Sequence, residues 1–275
     1  MSFGKRWEDF WFAPFSLKRI AVFRILIGVL FLVEFFTLPI FFTGMNESNY
    51  FAGGFYLPYF SWLKPPPFSV FLTLEGILLV SVFSSILGLF TRFSLLLASG
   101  IVFYFFFLNQ LFYLNHVYLL GVMLFLTGLS PADRRFSLDS LFFGKGRELN
   151  SERESAWPLR LLQVLLSFVY FASALSKTNA GWWSGETIRL FYEAGNIRFP
   201  GFLEFLEKVP FALQGRMTLF TEYFLAFALW PRRTRNLALM VGVVFHSMMD
   251  LGMGIGTFSL QVLAIYFLFL ERDEN

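Results

Sequence analysis

Apolar residues run along this chain in long blocks separated by short polar stretches. A transmembrane helix needs about 20 mostly apolar residues. Eight blocks approach that length: roughly 20–42, 68–89, 94–112, 116–130, 159–176, 213–230, 236–250 and 257–270. Prolines punctuate the pattern. The stretch KPPPF (64–68) stops any helix before the second block. FPGFLEFLEKVPF (199–211) is of another kind, because Glu204, Glu207 and Lys208 interrupt its apolar residues. It reads as an interfacial amphipathic helix bounded by prolines. The first block is too long for the apolar region of a signal peptide, has no small-residue cleavage site after it, and contains Glu34 and Pro39, so it reads as a first span. The predicted fold is therefore all-α: a polytopic transmembrane helix bundle of about eight spans with short loops. One domain over 1–275 is expected, with no separate extramembrane domain, since the longest polar stretch (131–158) is only a short loop. GMGIG (252–256) lacks the strand before it and the Lys or Ser/Thr after it that a phosphate loop needs, and reads as an interhelical turn.

Composition moves the reading further toward the bilayer. Hydrophobic residues make up 56% of the chain and charged residues 15%, where a soluble domain carries nearer a quarter. The mean hydropathy is +0.61, and 41 positions are phenylalanine. The absence of cysteine removes disulfides, thiolate catalysis and thiolate metal sites. Two histidines do not furnish a His-rich metal centre, so no metal is expected. A net charge of +3 gives no ground for a nucleic-acid partner; the expected partners are membrane lipids.

The placement of the charges predicts orientation. Lys5, Arg6, Lys18 and Arg19 precede the first span, and Arg92 joins the second to the third. Arg134, Arg135, Lys145, Arg147, Arg153 and Arg160 join the fourth to the fifth, and Arg232, Arg233 and Arg235 the sixth to the seventh. With eight spans all of these fall on one side, while the connections at 111–116 and 250–256 hold no Lys or Arg. The positive-inside rule then puts both termini in the cytoplasm. The expected location is a bacterial cytoplasmic (inner) membrane.

That orientation gathers polar residues at one depth. His116 starts the fourth span, Lys177 ends the fifth, and His246 and Asp250 lie in the last turn of the seventh, all at the outer face. Glu34, Glu75 and Glu222 lie inside spans, where ionisable groups are rare and face a cavity or a partner. Each has a plainer reading. A lysine at a helix end commonly snorkels to the interface, Trp182 and Trp183 suit an interfacial belt, and a histidine at a helix end is commonly structural. Arg24 is expected to snorkel inward or to pair with a glutamate. In sequence, Lys177 has no carboxylate close by, since Glu186 is nine positions away.

Four segments carry a family resemblance. LKRIAVFRILIG (17–28), NHVYLLGVMLFLTGLSPADRRFSLD (115–139), PLRLLQVLLSFVYFASALSKTNAGWWSG (158–185) and TEYFLAFALWPRRTRNLALMVGVVFHSMM (221–249) resemble, in order, segments of the horizontally transferred transmembrane (HTTM) domain. That domain is also the membrane half of vitamin K-dependent gamma-carboxylases. The resemblance implies that Lys177 stands where those enzymes place the base that deprotonates a reduced quinone, with His116 supporting it. It implies a hydroquinone, such as vitamin K hydroquinone, as cofactor, and a pocket near the outer face to which Asn115, Tyr118, Trp182, Glu222 and His246 would belong. Two departures stand out. The carboxylases have paired lysines where this chain has Ser176-Lys177. They also continue into a large β-rich extramembrane domain where this sequence ends at Asn275. The resemblance thus implies the hydroquinone chemistry more than protein carboxylation, and leaves room for a separate extramembrane partner.

The chemistry makes physical demands. A lysine that accepts a proton must be neutral, and apolar surroundings favour the neutral amine whereas a carboxylate favours the ammonium. The expectation is that neither Glu34 nor Glu75 touches Lys177 and that His116 is its nearest ionisable neighbour. Two functions remain open: an enzyme using a hydroquinone, and a non-catalytic membrane component that binds lipid or docks a partner. A transporter has less support, since there is no inverted repeat or matched pair of broken helices.

Overall fold

The structure, a computed structural model, describes residues 2–37, 57–60, 62–108, 114–142, 153–194, 204, 208–253 and 257–270. It is an all-α protein. Every one of the eight apolar blocks contains a helix: α2 (Leu17–Thr37), α3 (Phe68–Leu87), α4 (Thr91–Leu108), α5 (Asn115–Gly128), α7 (Trp157–Lys177), α10 (Phe211–Ala228), α11 (Arg232–Met253) and α12 (Phe258–Phe269). Among the described residues, α2, α3, α4 and α7 are long and apolar enough to cross a membrane, and α5 and α12 are apolar but shorter. The interfacial helix expected at 199–211 and the turn at 252–256 fall largely outside the described residues. Pro67 stands immediately before α3, as the proline run requires.

The chain divides into two compact units, Met1–Leu162 with 271–275, and Gln163–Leu270, the boundary falling inside α7. In the first, α2 packs on α3 and α5, and α4 on α3 and α5. A short helix, α1 (Phe3–Phe12), precedes this bundle and buries none of its residues. Between α1 and α2 the chain forms β1 (Pro14–Ser16), which pairs antiparallel with β2 (Arg153–Ser155), Phe15 opposite Glu154. The guanidinium of Arg160 lies 5.3 Å from the ring centre of Phe10 and 5.1 Å from that of Phe15, adding cation–π contacts to this clip.

Arg24 does not meet either expectation. It is fully buried and paired with backbone carbonyls, not with a glutamate. Nη1 donates to Ala132 O at 2.6 Å and Nη2 donates to Phe136 O. These carbonyls belong to the loop SPADRRFSLD (130–139), whose other end is also tied. Asp139, in the short helix α6 (Leu138–Phe142), accepts from the backbone N–H of Phe90 and Thr91 at 2.8 and 2.7 Å and so caps α4 from a distance. Gly88 ends α3 with φ +70°, and a Cβ there would lie 2.3 Å from the Cβ of Ser137, so the corner admits only glycine.

In the second unit, the residues after α7 make a compact corner. Asn179 accepts from the N–H of Trp182 at 3.2 Å and caps α8 (Ala180–Ser184). Gly185, at φ +83°, ends α8 and starts α9 (Glu186–Glu193). A Cβ on Gly185 would lie 2.2 Å from the backbone N of Ala212, and one on Gly215 would lie 2.2 Å from the carbonyl O of Trp182. Glycine at both positions lets the Trp-Trp corner close directly on α10.

Candidate functional site

Lys177 is the last residue of α7. Side chains on a helix lean toward its N-terminus. Lys177 follows that lean: its Nζ reaches back one turn and donates to Ser173 Oγ. It also donates to Glu222 Oε1 of α10 at 2.6 Å. Ser173 Oγ in turn donates to the same Oε1 at 3.0 Å. The Trp182 ring covers the ammonium with its centre 5.4 Å from Nζ. This corrects the expectation of His116 as its nearest ionisable neighbour. The neighbour is Glu222, 45 residues away in sequence. The lysine does not snorkel outward, because Ser173, one turn back along α7, and the carboxylate of Glu222 on α10 hold its ammonium. The second oxygen of the carboxylate, Glu222 Oε2, is buried without a hydrogen-bond partner among the described residues.

Further along the same face of α7 lies Tyr170, seven residues before Lys177 and three before Ser173. Its hydroxyl lies 2.6 Å from His246 Nε2 of α11 and 2.5 Å from the hydroxyl of Tyr266 of α12. All three side chains are buried. Gly242, one turn before His246 on α11, makes room for the Tyr266 hydroxyl, since a Cβ at 242 would lie 2.0 Å from it. The rings of Phe245 and Phe258 pack near His246, at centroid distances of 5.4 and 6.2 Å. The second unit thus holds two polar clusters along one face of α7: Lys177, Ser173 and Glu222, then Tyr170 with His246 and Tyr266.

Of the residues singled out in the sequence, Lys177, Trp182 and Glu222 meet directly, and His246 lies in the same unit through Tyr170. Trp183 is half exposed and suits an interfacial position, with Arg216 donating to its carbonyl O at 3.1 Å. His116, Asn115 and Tyr118 belong to the first unit. His116 Nε2 lies 3.0 Å from Oε1 of the buried Glu34, a contact that is an ion pair only when the imidazole is protonated. Asn115 is exposed at the start of α5. Tyr118 is partly exposed and packs against Phe103 and Phe106. Sequence reasoning missed Tyr170, Ser173 and Tyr266. The spacing of Tyr170, Ser173 and Lys177 within YFASALSK was a readable signal, since it places all three on one helix face.

Long apolar helices with ionisable residues buried between them define a multi-pass membrane protein. The family follows from comparison: the HTTM domain matches residues 12–273, nearly the whole chain, and the chain belongs to the HTTM domain family. No solved structure matches it.

Proposed function

We propose that this membrane protein binds the ring of a lipid-soluble quinone or hydroquinone beside Lys177, and that the Lys177–Glu222 pair takes up a proton from the hydroquinone form. The observation that carries this reading is the 2.6 Å contact between Nζ and Oε1 at a helix end, with Glu222 Oε2 buried and lacking a donor. An O–H group is the partner that an orphaned carboxylate oxygen suits. A hydroquinone, when bound, supplies a weakly acidic O–H at that place. Trp182 offers an aromatic face beside the ammonium.

The pair changes the role the resemblance implies for Lys177. The ring O–H that Glu222 Oε2 accepts passes its proton to that carboxylate, while Lys177 Nζ holds Oε1. The pair then takes up one proton in all, held on the carboxyl, and the ring is left as its anion beside the lysine. Ser173 keeps Oε1 in line by donating to it.

A second reading is favoured by the completeness of the lysine's contacts. The ammonium already has Glu222, Ser173 and the Trp182 ring, as in a structural ion pair within a non-catalytic lipid-binding or partner-docking component. The decisive experiment starts with protein purified in mild detergent and mass spectrometry of its extracted lipids and quinones. Consumption of a reduced quinone is then compared between the wild type and Lys177→Met. We expect a co-purifying isoprenoid quinone, and turnover that Lys177→Met abolishes while binding persists. Turnover unchanged in Lys177→Met would reject the pair as the proton acceptor. Binding without any turnover in the wild type would establish the second reading.

A further inference from the structure

The short helix α1 carries its aromatic residues on one side. Phe3, Trp7, Phe10 and Trp11 stand at i, i+4, i+7 and i+8, the spacing of one helix face, while Lys5, Glu8 and Asp9 fall on the other. Ser2 caps the helix by accepting from the N–H of Lys5. The Trp11 ring meets Trp7 and Phe10 edge to face, at centroid distances of 5.6 and 5.2 Å, so the aromatic side is one continuous surface. The described residues leave that surface open: Phe3 is 82% exposed and Trp7 55%. With 10 residues α1 is about 15 Å long, half of the roughly 30 Å of hydrocarbon that a span has to cross, and so it is not a span.

Its place in the chain says what covers that face. Only Ala13 separates α1 from β1, and β1 runs straight into α2. The partner strand β2 is followed, after Ala156, by α7. Both α2 and α7 are long and apolar enough to cross a membrane. The clip from which both start therefore stands at one membrane face, and α1 stands there with it. Arg160, in the first turn of α7, fixes α1 at this level through the ring of Phe10. Lys5, Arg6, Lys18, Arg19 and Arg153 give the same end of the chain's spans a positive charge, which anionic headgroups complement. We infer that α1 is an in-plane membrane anchor that docks on the bilayer surface, with Phe3, Trp7 and Phe10 among the lipid headgroups and Lys5 and Asp9 turned to water. Tryptophan suits that depth, because its ring is apolar and its N–H finds partners there. The anchor does not depend on what Lys177 binds.

The chain has no cysteine, so single introduced cysteines report without background. The full chain carrying Phe3→Cys, Lys5→Cys, Trp7→Cys or Asp9→Cys is spin-labelled and reconstituted in vesicles of phosphatidylcholine and phosphatidylglycerol. All four positions are exposed, and each variant leaves the remaining aromatic residues in place. For each label, collisions are measured with oxygen, which concentrates in hydrocarbon, and with a neutral nickel chelate, which stays in water. We expect the ratio of oxygen to nickel accessibility to be severalfold higher at 3 and 7 than at 5 and 9, because an in-plane helix alternates between lipid and water with its own period of about 3.6 residues. Labels open to nickel and poor in oxygen at all four positions would put α1 in water and overturn the inference. Labels at 3 and 7 shielded from both reagents would mean that a protein surface, a second copy included, covers the aromatic side, and would overturn it equally. High oxygen accessibility at all four positions would place the helix within the hydrocarbon and reject an in-plane anchor.

Discussion

Lys177 Nζ and Glu222 Oε1 lie 2.6 Å apart, on helices α7 and α10, with the lysine 18% exposed and the glutamate 5%. Removing one partner leaves the other charge nearly buried and alone. Glu222→Gln should therefore lower stability by about 2–3 kcal/mol. The double variant Lys177→Met/Glu222→Gln should recover much of that loss, because no charge is then stranded. Thermal midpoints in one detergent measure both. A double variant as unstable as the sum of its two singles would mean that the contact contributes no coupling.

Gly185 joins α8 to α9 at φ +83° with the α10 backbone against it. Gly185→Ala faces an unfavourable backbone region and a clash with Ala212 N at once. Its cost should exceed about 1–2 kcal/mol. Gly76, whose Cβ would meet nothing within 4 Å, is the control. Gly76→Ala should be neutral or slightly stabilising, since it lies within α3. Equal effects from the two substitutions would remove the argument that the Trp-Trp corner needs glycine.

Arg24 holds the 130–139 loop through the carbonyls of Ala132 and Phe136. Lysine keeps the charge but not the planar fork that serves two acceptors together. Arg24→Lys should loosen the loop, and trypsin should then cut faster after Arg134 and Arg135. A cleavage rate identical to that of the wild type would show that the loop is held by Asp139 and Gly88 alone.

The charged cluster on α9 titrates in a predictable direction. Hydrogen bonds from Arg189 hold the Glu186 carboxyl below the ordinary carboxylate range. A carboxyl depressed in the folded state stabilises the fold above its unfolded value, about 4.3. That stabilisation is lost as the pH falls through the lower folded value. Carbon-13 NMR of labelled glutamate should place the Glu186 midpoint below that of free glutamate, and Arg189→Gln should bring it back. An unchanged midpoint in Arg189→Gln would assign the effect to another group.

Orientation is open to a direct test. If the clustering of Lys and Arg sets the topology, reporters fused after Asn275 and within 144–155 should both report cytoplasm. An external signal from either would invert or renumber the spans.

The positions of the membrane helices were legible in the sequence because the cause is local. A backbone in hydrocarbon has to satisfy its own hydrogen bonds, so each apolar run of about 20 residues becomes a helix whatever surrounds it. The ends agree to within a few residues at Pro67–Phe68 and at Lys177 for the same reason: a proline or a charge ends the run. Lys177 and His246 could be picked out because ionisable groups are scarce in such runs. What they touch was decided only by tertiary packing. Periodicity shows which residues share a face of a helix, and does not show which helix that face meets. So the pairing of Lys177 with Glu222, and of Tyr170 with His246 and Tyr266, carried no mark in the sequence beyond the common face of Tyr170, Ser173 and Lys177. Arg24 was less legible still. Its acceptors are backbone carbonyls, which every residue possesses, and only the fold of the 130–139 loop decides that these two point at it.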